Sequence, residues 1–196
     1  MTASKPRAPI AKTVGLIMIV LVCLCCGAAK ALERDLNGPP ELTAAYTSGE
    51  ALLVMEDLAG ALITALEDDP FTSRLWKTRE CTSGWDEGIS WDGFVSASVT
   101  YRFDSYMELD ARSLAYSEQL ATALEALGMD PVVDRQNGGE RIKVSAERDD
   151  GLSVLFTTST GLHISTGCVV DDGQSVYTPP HAHIPPAGDI QDLQNW

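Results

Sequence analysis

Absences narrow this chain before any motif is read. It has no Gly-x-Ser-x-Gly, no phosphate-cradling glycine loop and no Gly-x-Gly-x-x-Gly, so the usual nucleophile-elbow and nucleotide signatures are missing. There are only three histidines, no calcium-type loop of alternating acids, and no Cys-x-x-Cys outside one apolar run. Basic residues are few: 14 Lys and Arg face 28 Asp and Glu, a formal charge of −14. Four of the basic residues and none of the acids lie in residues 1–31, so the rest of the chain is more acidic still. Such a surface repels phosphate backbones and anionic head groups, which argues against nucleic acid as a partner. No cofactor is expected.

What is present begins with one long apolar run, Val14–Ala29, preceded by Lys5, Arg7 and Lys12. A positive flank of this kind stays in the cytoplasm and sends the following chain across the membrane. The run falls between a signal-peptide core of about 7–15 residues and a spanning helix of about 17–25. Ala29-Lys30-Ala31 fits a small-x-small cleavage site. The reading is a retained single-pass anchor with the domain outside the cytoplasm; the alternative is secretion after cleavage following Ala31. Cys23, Cys25 and Cys26 sit in this run as small apolar residues. Cys26, followed by Gly27, is the candidate lipidation site, although the residue before it is not small in the manner such sites favour.

Two cysteines remain, Cys81 and Cys168. An even pair in an exported domain predicts one disulfide rather than a redox or metal pair.

The chain reads as an anchor (1–31), a stalk broken by Asn37-Gly38-Pro39-Pro40 (32–41), an α+β domain (42–170) and a proline-rich tail expected to be extended or disordered (171–196). Apolar residues at three- and four-residue steps predict a helix from Leu42 to about Glu67, with Thr47-Ser48-Gly49 offering a start nearer Ser48. Residues 71–93 read as a loop rich in tryptophan around Cys81. Phe94–Phe103 alternates apolar residues with Ser96, Ser98, Thr100 and Arg102, a strand with one buried and one wet face. Asp110 starts a helix that Gly128 ends. Four short strands follow, turned at Asn137-Gly138, Asp150-Gly151 and Ser159-Thr160-Gly161, with Leu162, Ile164, Thr166, Cys168 and Val170 on one face of the last. A strand–helix–strand unit followed by hairpins makes the fifth strand antiparallel to the first. The expected fold is therefore α+β: an N-terminal membrane helix, a helix, then a strand-helix-four-strand mixed sheet with helices on one face.

The order of an apolar export segment, a helix, "RECTSGWDEG" (Arg79–Gly88), a strand ending "YRF" (Tyr101–Phe103), a helix ending "ALG" (Ala126–Gly128), "DDGLSVLFTTSTGLHISTGCVV" (Asp149–Val170) and a proline-rich end resembles the small exported or lipoprotein-like hypothetical proteins of actinobacteria. The resemblance covers roughly residues 14–170 and is one of layout. It implies place and fold, and brings no catalytic residues.

Site by site, chemistry is sparse. His181-Ala182-His183 can present two imidazoles to zinc or copper, but a site needs a third or fourth ligand. The pairs Asp68-Asp69, Asp149-Asp150 and Asp171-Asp172 fall at turns or helix ends, where turn chemistry accounts for them. Trp76, Trp85 and Trp91 could line a ligand groove or pack over the disulfide. No catalytic constellation is assigned. The leading expectation is a non-catalytic binding module of the cell envelope, held at the membrane by its N-terminal segment and taking an envelope protein or small ligand. The alternatives are an envelope hydrolase or metal-assisted enzyme, and a structural envelope protein.

Overall fold

Alternation at a period of two marks the strands that follow Ser73, and the architecture follows from it. The computed structural model describes residues 42–83, 89–103, 111–136, 141–174 and 177–192. The chain divides into two units, Met1–Pro39 with Thr82–Ser90 and Pro40–Cys81 with Trp91–Trp196. Of the first, only Thr82, Ser83, Ile89 and Ser90 are described, as strand ends; the account below concerns the second. The run Val14–Ala29, with Cys26, and the expected helix start Asp110 lie outside the described residues. Among the described residues no helix is long and apolar enough to cross a membrane.

The protein is α+β. Strands β1 (Leu42–Thr47), β2 (Ser73–Ser83), β3 (Ile89–Arg102), β4 (Val132–Gln136), β5 (Arg141–Glu147), β6 (Leu152–Thr157), β7 (Gly161–Val170) and β8 (Asp189–Asp192) join helices α1 (Ser48–Thr64) and α2 (Ala111–Ala126). The strands form one mixed sheet in the order β4-β5-β6-β7-β3-β2-β8, with β1 paired to β7. As expected from the meander, β7 runs antiparallel to β3. Buried residues of α1 (Leu52, Met55, Leu62) and α2 (Leu120, Leu124) share one core with Val99, Val144, Val154 and Ile164 of the strands, so both helices cover the same face.

Three expectations change. The first helix does not begin at Leu42. Thr47 accepts the N–H of Glu50 at 3.4 Å, and Glu50 accepts the N–H of Thr47 at 3.0 Å, a reciprocal cap that fixes the start at Ser48. Residues 42–47 instead form a parallel strand beside the end of β7, with Leu42 opposite Cys168 and Thr47 opposite Val170. β6 leaves that edge free, since its pairing with β7 stops at Leu152 opposite Thr166. Next, residues 71–93 are mostly hairpin, not loop: β2 and β3 are neighbours in the sheet. Tryptophans and glycines there disguised a β2 whose alternate residues Arg74, Trp76 and Thr78 are buried. Finally, the tail returns to the core. Ala182 is buried in it, and β8 pairs parallel with β2 from Arg74 opposite Asp189 to Lys77 opposite Asp192. Composition hid this because the segment is tied by polar partners rather than by an apolar pattern.

Those partners centre on Arg74, whose side chain is fully buried. Its Nη1 donates to Glu56 Oε1 and to the Thr178 carbonyl, each at 2.8 Å. Its Nε and Nη2 donate to the two oxygens of Asp189 at 2.8 and 2.9 Å, the two-pronged geometry that suits guanidinium. Buried Glu56 also accepts from Trp76 Nε1 at 2.5 Å and Tyr101 Oη at 2.7 Å. Burial, and then the charge of Glu56, raise the pKa of Tyr101, so this phenol remains a donor. The Tyr101 oxygen in turn accepts the backbone N–H of His181 at 3.3 Å. The His181 ring lies within 2.6 Å of where a Cβ on Gly60 would stand. Glycine inside α1 weakens the helix by about 1 kcal/mol relative to alanine, but it leaves room for the returning tail.

Cys81 and Cys168 form the expected disulfide, with their Cα atoms 5.9 Å apart. The face of Cys168 differs from expectation. Pairing of β3 with β7 slips between Ser96 opposite Cys168 and Ser98 opposite Ser165, and a one-residue slip inverts every later side chain. Val169 is therefore the buried residue, while Cys168 is half-buried and Val170 exposed. The disulfide thus lies toward the face opposite the helices. β3 stands between β2 and β7, and two strand spacings would separate the cysteines by roughly 9.5 Å. The closer approach coincides with a break in the regular pleat of β3 at Gly93, whose φ is +82°.

Two outcomes test this account. Asp189→Ala leaves a buried guanidinium short of a carboxylate, and the urea midpoint of the full chain is expected to fall by the equivalent of about 3–5 kcal/mol; a change below 1 kcal/mol would refute the tail's anchoring role. Replacing both cysteines by serine is expected to cost about 2–4 kcal/mol, since the bridge closes a long loop, read by the same denaturation.

Candidate functional site

The face left uncovered by the helices carries the residues that alternate with the core positions. On β2 these are Leu75, Lys77 and Arg79; on β3 they are Ser96, Ser98, Thr100 and Arg102; on β7 they are His163 and Ser165. With the β6–β7 turn they line a concavity of about 810 Å³. Register brings the polar groups together across strands. Thr100 stands opposite His163 and Ser98 opposite Ser165. Thr100 Oγ1 and His163 Nδ1 are 2.8 Å apart, and the hydroxyls of Ser153 and Ser165 are 2.9 Å apart.

Charge distinguishes this surface. Lys77, Arg79 and Arg102 line it, and among the described lining residues there is no carboxylate. Among the described residues neither Arg79 nor Arg102 has an ion pair. Arg74, Arg112 and Arg148, away from this face, are matched: Arg74 with Glu56 and Asp189, Arg112 with Asp68, Arg148 with Asp150. His163 lies at the centre with its pKa lowered, first by burial and then by the charge of Arg102. It is neutral at pH 7, and a proton gained on acidification adds a further positive charge to the face.

No family model matches the chain, and no curated protein or solved structure does. The site therefore rests on its own geometry.

The sequence-predicted residues are not gathered here. Trp76 is fully buried with its Nε1 on Glu56; it belongs to the core, because β2 turns it toward the helices. Trp91 borders a separate recess of about 250 Å³ with Glu80, Asp92, Phe94 and Asp171. Trp85 lies outside the described residues. His181 and His183 are exposed, held through their backbone N–H groups by Tyr101 and Asp69. Among the described residues no three His, Cys, Asp or Glu side chains converge as a metal site. His163 is on the outward face as its strand position required, but is half-buried against Thr100 rather than free in solvent. Sequence reading placed Arg102 and the β3 hydroxyls on a wet face and missed Lys77 and Arg79. The alternation Arg74-Leu75-Trp76-Lys77-Thr78-Arg79 was the available signal.

The proton balance of His163 has a definite sign. Its folded pKa lies below the unfolded value of about 6.5, so the unfolded state takes up the proton first. Its contribution to stability is full above the unfolded pKa and is lost as pH falls toward the folded one. The charge that acts on it is Arg102 from β3; Lys77 and Arg79 of β2 stand further along the same face, and Leu155 of β6 opposes it without charge. Between pH 7.5 and 5 the melting temperature of His163→Gln is expected to fall less than that of the unaltered protein. Equal falls would contradict the placement.

Proposed function

We propose that this chain is an exported or membrane-anchored binding module of the cell envelope, whose open sheet face takes an anionic ligand. The observation that carries the reading is the collection of Lys77, Arg79 and Arg102 on one concave, hydroxyl-rich surface with no carboxylate among its described lining residues, in a chain of net charge −14. Cations gathered on one concave face raise the local concentration of anions. Two guanidinium forks on that face, Arg79 and Arg102, have no ion pair among the described residues and suit carboxylate, phosphate or sulfate groups.

Placement outside the cytoplasm is supported by the basic flank and apolar run of residues 5–29 and by the Cys81–Cys168 bridge, since such bridges persist in oxidising compartments. Binding rather than catalysis is favoured by the composition of the face. The Thr100–His163 pair has no carboxylate among the lining residues to orient the imidazole, as a nucleophile–base arrangement ordinarily requires.

The test uses the full chain in a non-ionic detergent, titrated with tripolyphosphate by calorimetry. The expected result is saturable binding that weakens as salt is raised and that Arg79→Gln with Arg102→Gln reduces at least tenfold, while Arg112→Gln, on the helix side, leaves it unchanged. Absence of binding, or equal binding by the double variant, would remove the reading.

A further inference from the structure

The positions of the cations along the strands say more about the ligand than their number does. The backbone N–H of Thr72 donates to the Arg102 carbonyl at 2.9 Å, which sets Arg102 level with the start of β2. Lys77 lies five residues further along and Arg79 seven, so these cations stand roughly 16 and 23 Å from that level at the usual strand rise of about 3.3 Å. The positive charge is thus divided between two ends of the concavity. Between them run Ser96, Ser98, Thr100 and Ser165, with Leu75 and Leu155 beside them. Hydroxyls both donate and accept, and they match a ligand that offers both.

We propose that the ligand is a linear acidic oligosaccharide, laid along the strands with anionic groups at both ends of the face and sugar hydroxyls against the serine and threonine row. This rests on the anion-binding reading above and specifies it. A compact anion can satisfy one end only. A nucleic acid strand would need a run of aromatic platforms for its bases, and among the described lining residues only Phe103 and the His163 imidazole are aromatic. A polyanion without hydroxyls would leave the central row solvated rather than paired. An acidic glycan meets both demands: charge at intervals, and neutral polar groups between.

The experiment measures affinity of the full chain, in the same detergent, for oligogalacturonates from one to eight units. Polyphosphate and a poly-glutamate peptide of matched length serve as comparators. Affinity is expected to rise at least tenfold once the oligomer is long enough to reach both ends, and to exceed that of either comparator. Arg102→Gln and Lys77→Gln, at opposite ends, are each expected to flatten the dependence on length. Ser98→Ala with Ser165→Ala should weaken the uronate series and leave polyphosphate unaffected. Monomer and octamer binding alike, or a comparator binding as tightly as the uronate of equal length, would overturn the proposal while leaving an anion site standing. Failure of every anion to bind would remove both.

Discussion

The guanidinium of Arg74 is the point on which the described structure turns. A buried cation is tolerated only when its charge and its donors are met, and three separate segments meet them here: α1 through Glu56, the returning tail through Thr178, and β8 through Asp189. Glu56 passes the constraint to Trp76 and Tyr101. Helix, hairpin and tail are therefore held by one polar network inside an otherwise apolar core. No buried side-chain nitrogen or oxygen among the described residues lacks a partner. Removing any one member strands the others, which gives the fold a single arrangement rather than several of similar energy.

With the inner side closed by helices and this network, functional potential moves to the outer side. The slip in β7 matters there as much as the cations do. It turns Cys168 outward, to the side of the sheet that carries Arg79 and Ser96. One inserted register step thus couples the covalent tether to the rim of the concave face.

Much of the sheet was legible in the sequence because alternation is a local property. Val95, Ala97, Val99 and Tyr101 against Ser96, Ser98, Thr100 and Arg102 define β3 without reference to any neighbour, and Gly151 and Gly161 mark the ends of the turns after β5 and β6. Gly128, at φ +78°, ends α2 as its position implied. What could not be read depends on distant partners. β1 is a strand because β6 stops short of the end of β7, and no residue in 42–47 encodes that vacancy. β8 is held by a carboxylate 115 residues from its arginine, in a segment whose prolines suggest freedom. The outward cations of β2 were obscured because buried Arg74 and Thr78 share its inner face with Trp76, so polar residues occur on both sides and the usual contrast is lost.

The separation of Arg74 from Asp189 also bears on the order of events during synthesis. A chain delivered residue by residue from its N-terminus exposes α1, β2 and the whole meander before Asp189 emerges. Until then the arginine has only Glu56 within its own early neighbourhood, and β2 has a bare outer edge. Completion of the domain is accordingly a late event, and a nascent form that lingers before it would present both an unmatched cation and an open strand to other unfinished chains.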